Sequence, residues 1–240
     1  MKYVMDLHTH TLASGHAYNT IMEMARAASE RSLEALGITD HGCAIKGTCH
    51  EIYFTNFKVV PREMYGVRLF LGAEMTIIDY DGGLDLSENT QKKLDIGIAG
   101  IHNGYYNVGT CAENTRAYIK AIENPNIDII SHPDDGRIPV NYADVVKAAR
   151  DNNVLLELNN SSLQPGNVRY AGHSADMLKL MLEQCEKQNV SVIMNSDAHF
   201  CTAVGVFTEM EQLLAGTGFP ERLIVNDSLE HVLPFLHRYR

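Results

Sequence analysis

An α/β fold built on a parallel sheet is predicted by three features of the chain. Seven short apolar runs have strand character, helical stretches separate them, and polar residues gather where the runs end. The runs at 3–7, 35–39, 68–73, 95–101, 127–131, 154–158 and 191–195 are apolar enough to be buried on both faces, as parallel strands are. Between them, Thr20 with Glu23, Thr110 with Glu113 and Asp227 with Glu230 have capping-box spacing, in which two side chains satisfy each other's backbone donors at a helix start. After Ser174, the spacing of Leu178, Met181, Leu182 and Cys185 predicts one buried helical face. Residues 223–226 read either as one more strand or as the approach to the last helix. Residues 42–66 are too long for an ordinary connection; with Lys46, His50, Tyr53, Phe54 and Phe57, they are expected to form a lid or binding loop. Periodicity alone leaves an open doubly wound sheet and a closed barrel both available.

A chain of 240 residues and 26.7 kDa can bury roughly 70 to 75% of its extended surface. No linker-like tract, repeat or long charge run divides it, so residues 1–240 are expected to form a single domain. The net charge of −10 works against nucleic acid or an anionic membrane as the main partner. Cys43, Cys49, Cys111, Cys185 and Cys201 are odd in number and contain no C-x-x-C, which points away from a disulfide framework or a thiolate zinc finger. A motif begins already at Asp6, and no apolar run approaches the roughly 20 residues that span a bilayer. A soluble cytoplasmic protein is expected.

Six of the seven runs end in metal-ligand types: His8 and His10, Asp40 and His41, Glu74, His102, His132, then Asp197 and His199. The sixth run ends in Asn159-Asn160 instead. In a closed α/β barrel all strand C-termini surround one mouth, so these scattered residues would converge on one pocket. His8-Thr9-His10 and Asp197-Ala198-His199 have period-2 spacing, which puts both donors on one side of an extended segment. Asp6 could hold or orient a ligand from behind. His16, in Ser14-Gly15-His16, would alone be an ordinary loop histidine, and His102 or His132 alone a satisfied core histidine. Together with Glu74, a carboxylate able to bridge two cations, they make nine candidate ligands. One zinc ion uses three or four ligands, so two or three ions are implied. His50, His173, His231 and His237 lie in irregular or helical segments and receive no metal role.

The order H-x-H-T, T-D-H, a strand-end Glu, two strand-end histidines and S-D-A-H resembles the PHP (polymerase and histidinol phosphatase) family. The likeness runs from Asp6 to His199, at a length close to that of the family's small stand-alone bacterial phosphatases. It implies a distorted (β/α)7 barrel with the metal site at the C-terminal ends of the strands. It also implies three divalent ions, with zinc first and manganese or iron as alternatives. His8, His10, Glu74 and Asp197 would hold one ion, Glu74, His102 and His132 a second, and His16, His41 and His199 the third.

The expected activity is hydrolysis of small phosphate monoesters by a metal-activated water, with Glu74, Asp197 and His199 as the catalytic set. Lys46, Arg137 and Arg169, on loops that could follow strand ends, are candidate phosphate contacts, and Asn159 and Asn160 could orient substrate or ligands. The expected partner is a small phosphorylated molecule, with a homo-oligomer left open. Histidinol phosphate is an alternative substrate. A 3′–5′ exonuclease would require a basic stripe or stacking groove that the sequence lacks. An amidohydrolase would usually carry a bridging lysine on a barrel strand, where this chain has Glu74. A site that binds metal without catalysis, as a sensor or store, is the remaining alternative.

Overall fold

A computed structural model describes residues 2–239. Strand β1 is Met5–Asp6, β2 Ala35–Ile38, β3 Glu63–Met64, β4 Val67–Thr76, β5 Ile96–Gly100, β6 Ile129–Ile130, β7 Leu155–Asn159 and β8 Val192–Asn195. Seven of them pair in parallel in the order β1-β2-β4-β5-β6-β7-β8, and β3 forms a short antiparallel arm on β4. All seven predicted strands are present, each within a few residues of its expected span. The helices are α1 Ile21–Glu30, α2 Ile52–Thr55, α3 Glu88–Gln91, α4 Cys111–Ile122, α5 Tyr142–Asn152, α6 Val168–Ala171, α7 Ser174–Gln188, α8 Thr208–Thr217 and α9 Leu229–Val232.

The sheet curls into a nearly closed (β/α)7 barrel. At the upper end β1 and β8 meet through a parallel bridge between Thr9 and Ala198, with the His10 amide donating to the Ala198 carbonyl at 2.9 Å and the Asp197 amide to His8 at 3.0 Å. Lower down, residues 223–226 fill the seam. They are neither a regular strand nor a plain approach to a helix, but two 3-10 turns joined at Ile224, which bridges Val192. The Asn226 carbonyl accepts from Val4, its side-chain oxygen accepts from the Met194 amide at 2.7 Å, and its amide donates to the Met194 carbonyl at 2.7 Å. One buried asparagine thus supplies the hydrogen bonds that a direct β1–β8 ladder would have made.

Two apolar layers follow from strand alternation. Phe70, Ile96, Ile98, Ile129, Leu155 and Ile193 fill the barrel interior, which Val232 and Leu236 close from below. Leu36, Leu71, Met75, Ile130, Leu156 and Met194 point outward against the helices. Burying each such side chain contributes roughly 1.5 to 3 kcal/mol before entropy is counted. The capping boxes at Thr20 and Thr110 form as predicted. The third does not: Ser228 caps α9, and Asp227 pairs with His231 one turn on, because the 3-10 turn ending at Asp227 shifts the helix start. Leu178, Met181, Leu182 and Cys185 form the buried face of α7 as read from their spacing.

The predicted lid at 42–66 is instead largely packed structure. Phe54 and Phe57 are buried in the outer core, the Tyr53 hydroxyl donates to Asp40 at 2.8 Å, and β3 fastens the end of the segment to β4. Ile45 and Lys46, near its start, are the part that borders the mouth. All five cysteines are free, and among the described residues no helix is long and apolar enough to cross a membrane.

Candidate metal centre

On four strands the inward face changes from apolar to polar at one level. Phe70 is followed by Gly72 and Glu74, Ile98 by Gly100 and His102, Leu155 by Glu157 and Asn159, and Ile193 by Asn195 and Asp197, always in steps of two. Gly100 is required by the crowding this produces: a Cβ there would lie 2.1 Å from Ser131 Oγ and 3.0 Å from His132 Cε1. His132 (φ 31°) and Asp197 (φ 55°) adopt left-handed backbone, uncommon for residues with side chains. Each is pinned in that turn by its amide, His132 to Glu157 Oε2 at 2.8 Å and Asp197 to the His8 carbonyl at 3.0 Å. Strain held by surrounding bonds is typical of residues placed for a task.

All nine predicted donors come together. His8, His10 and Asp197 form one cluster, with His10 Nε2 3.2 Å from Asp197 Oδ1 and His8 Nε2 3.3 Å from Glu74 Oε2. Glu74 Oε1 lies 3.2 Å from His102 Nε2 and 2.7 Å from His132 Nε2. His16 and His199 approach through their Nε2 atoms at 3.0 Å, and His199 also clusters with His41 and His10. One placement is broader than the resemblance implied: His41 Nδ1 is 2.8 Å from Glu74 Oε2, so His41 stands between the second and third groups. Burial falls from the fully buried His8 and His10 to the exposed His16, tracing a path from barrel to solvent.

The chemistry of this set fits cations. His8 and His10 aim Nε2 at Nε2 across 3.0 Å, as do His16 and His199, an arrangement natural for atoms directed at a shared ion. His41 Nδ1, Glu74 Oε2 and His102 Nε2 are buried without a hydrogen bond of good geometry, and these three residues offer ligand atoms within 4.8 Å of one another. Burial opposes ionisation of Glu74, but His8, His102 and His41 outweigh it and hold the carboxyl well below the usual range. Burial likewise opposes ionisation of Asp197, and His8, His10 and Arg169 prevail. Burial, together with the neighbouring His199 and His41, pushes His10 well below the usual imidazole range, leaving its lone pair available.

A cleft of about 890 Å³ opens above the cluster. Arg169 reaches it with its guanidinium bonded to Asp197 Oδ2 at 2.6 Å and Ser162 Oγ at 2.9 Å. Arg137 also lines it, paired twice with Asp135, and Lys46 lies exposed on its rim. Asn160 does not face the cleft: its amide donates to Glu209 at 2.8 Å and its oxygen accepts from Met210 at 2.9 Å, so it fastens the start of α8. Its neighbour Asn159 does serve the site, donating to Glu157 and Asp197 at 2.9 and 3.2 Å. Asp6 acts at one remove, holding the Ser196 amide and hydroxyl and the Gly205 amide on the segment that carries Asp197 and His199.

Sequence reading missed three participants. Glu157 receives His8 Nδ1 at 2.7 Å, yet it was absorbed into an apolar strand. Its signal was the inward parity it shares with Leu155. Ser14 bonds His10 Nδ1 at 2.9 Å and donates to Asp40 at 2.7 Å, and Thr76 Oγ1 bonds His102 Nδ1 at 3.0 Å. For these two, neither spacing nor residue type gives a sign.

The PHP domain matches residues 6–161. A probable phosphatase of Clostridium novyi (strain NT) is 42% identical over 98% of this chain and 95% of its own length. One of Acetivibrio thermocellus is 40% identical over 99% and 97%. Among solved structures, the histidinol phosphate phosphatase of Lactococcus lactis subsp. lactis Il1403, complexed with zinc, L-histidinol and phosphate, superposes with a TM-score of 0.60 at 14% identity. That match covers 91% of this chain and 95% of the other, and supports the fold.

Proposed function

The chain belongs to the PHP family, and on that premise we propose that it is a metal-dependent phosphatase hydrolysing small phosphate monoesters. The observation that carries this reading is the convergence of nine donors, including buried atoms of His41, Glu74 and His102 without hydrogen-bond partners, on one barrel mouth. His8, His10, Glu74 and Asp197 would hold one divalent ion, Glu74, His102 and His132 a second, and His16, His41 and His199 a third. Zinc suits this nitrogen and oxygen set and is present in the Lactococcus structure; manganese and iron are the other metals such donors accept. When bound, such ions supply a water acidified toward neutral pH and positive charge against a phosphoryl group.

The protein's own contribution is placement. Glu74 offers one oxygen to the His102 and His132 side and the other to the His8 and His41 side. Arg169 and Asn159 fix the carboxylate of Asp197, and His199 Nδ1 is bonded to the Asp197 carbonyl at 3.0 Å, so its Nε2 faces the mouth. Three divalent ions held there would carry about +6 against the carboxylates of Glu74, Asp197 and Glu157, which would make the mouth of this acidic protein locally positive and suited to an anionic phosphate. Lys46 and Arg137 line the route in, while Arg169 sits deeper beside Asp197. The lysine at the cleft is on a loop and not at a strand end, which favours phosphatase over amidohydrolase chemistry.

The test is turnover of p-nitrophenyl phosphate, then of a phosphomonoester panel including L-histidinol phosphate, before and after chelation. Activity that disappears with the metal and returns with zinc or manganese is expected. A metal-replete protein with no turnover on the panel would overturn the phosphatase reading.

A further inference from the structure

Glu157 is a fully buried carboxylate directly behind the donor cluster. Oε1 meets His8 Nδ1 at 2.7 Å and the Asn195 amide at 2.9 Å. Oε2 meets the His132 backbone amide at 2.8 Å and the Asn159 amide at 2.9 Å. The two asparagines cannot be turned round. Asn195 Oδ1 is occupied by the Leu7 amide at 2.9 Å and Asn159 Oδ1 by the Ser162 amide at 3.1 Å, so both present nitrogen to Glu157. Both carboxylate oxygens therefore face fixed donors. The group that satisfies them is an acceptor at both ends, so His8 presents a hydrogen to it from Nδ1, and Nε2, aimed at Glu74 and His10, is the nitrogen left for an ion.

We propose that Glu157 is a positioning residue for two metal subsites at once, setting the tautomer of His8 and holding the strained turn that presents His132. The inference rests on the metal reading above. A glutamine here has one acceptor and one donor end. With its amide toward His8 and Asn195, it drives the hydrogen of His8 to Nε2 and removes the ligand lone pair. With its amide toward His132, it sets donor against donor at a backbone N–H. Either orientation damages one subsite, although the shape is unchanged.

The experiment is zinc affinity by chelator competition on the full chain, for wild type, Glu157→Gln, His8→Ala and the double variant. Glu157→Gln is expected to bind at least one ion about 10- to 100-fold more weakly while keeping its far-ultraviolet spectrum. Adding it to His8→Ala should cost less than the sum, because the two act partly through one ligand. A folded Glu157→Gln that holds every ion as tightly as wild type would overturn the proposal. Should that variant not fold, nitrogen-15 spectra of histidine-labelled wild-type zinc protein decide: a hydrogen on His8 Nδ1 supports it, and a bare Nδ1 overturns it. Failure of the metal reading itself is visible separately, as wild-type protein that binds no zinc.

Discussion

The two ends of the barrel both bury charged groups, and they treat them in opposite ways. At the floor, Asp128 accepts from the His237 amide and ring and from Gly97, while Asp95 is met by Arg62, Arg238 and the Leu71 amide. Each acid there faces donors, and no metal-type cluster forms among the described residues at that end. At the mouth, ring nitrogens face ring nitrogens, and buried polar atoms of His41, Glu74 and His102 lack hydrogen-bond partners. The floor acids are satisfied by protein donors and stabilise the fold; the mouth groups are arranged so that they could hold a metal ion. Keeping stability at one end of the barrel and the chemistry-bearing strand ends at the other is how this architecture carries varied chemistry.

The contrast can be broken most severely at the mouth. His10→Ala or Asp197→Ala should lower kcat/KM for a phosphomonoester about 1,000-fold or more, on the order of 4 kcal/mol in barrier, with little loss of secondary structure. Steady-state kinetics with circular dichroism would check this. A floor substitution should do the reverse. Leu236→Ala removes a fully buried side chain, and about 2 to 5 kcal/mol of stability should be lost in urea unfolding with kcat unchanged. Asn226→Ala, at the seam, should cost about 1 to 3 kcal/mol for the backbone groups it strands.

A finer comparison lies between two arginines of the cleft. Arg169→Ala, which frees Asp197, should reduce kcat/KM roughly 10- to 100-fold, as loss of a group orienting a metal ligand does. Arg137→Ala, whose partner is Asp135, should change KM by only a few-fold.

The smallest effect belongs to surface helix starts far from both ends. Hydrogen bonds from the Thr20 and Thr110 backbones lower the pKa of Glu23 and Glu113 below the usual carboxylate range. A lowered folded-state pKa favours folding above the unfolded-chain value, and that contribution is lost as pH falls through the lower folded value. Titration followed by nuclear magnetic resonance should show both midpoints below the unfolded-chain value, and glutamine replacements should flatten this part of the acid limb.

Much of this architecture is legible in residue order because its causes are local or periodic. The strands appear as apolar runs, and His8 with His10 or Asp197 with His199 declare a shared face through spacing alone. The unreadable parts depend on distant partners. Glu157 meets His8 across 149 positions, and its one local sign, the inward parity it shares with Leu155, does not identify that partner. Asn160 looked like its neighbour Asn159 in sequence, but one residue of parity turns it from the mouth toward α8. The segment 42–66 read as a lid because its anchors, Asp40 under Tyr53 and β4 under β3, are tertiary. The shift of the last cap from Asp227 to Ser228 arose because residues 223–226 were needed at the barrel seam.

The central claim, that strand ends gathered from residue 8 to residue 199 form a multi-ion centre, is tested most directly by elemental analysis of the full chain after metal loading and removal of excess. Three divalent ions per wild-type chain, with fewer in Asp197→Ala and no change in Leu236→Ala, is the predicted result. One ion or none in the loaded wild-type protein would contradict it.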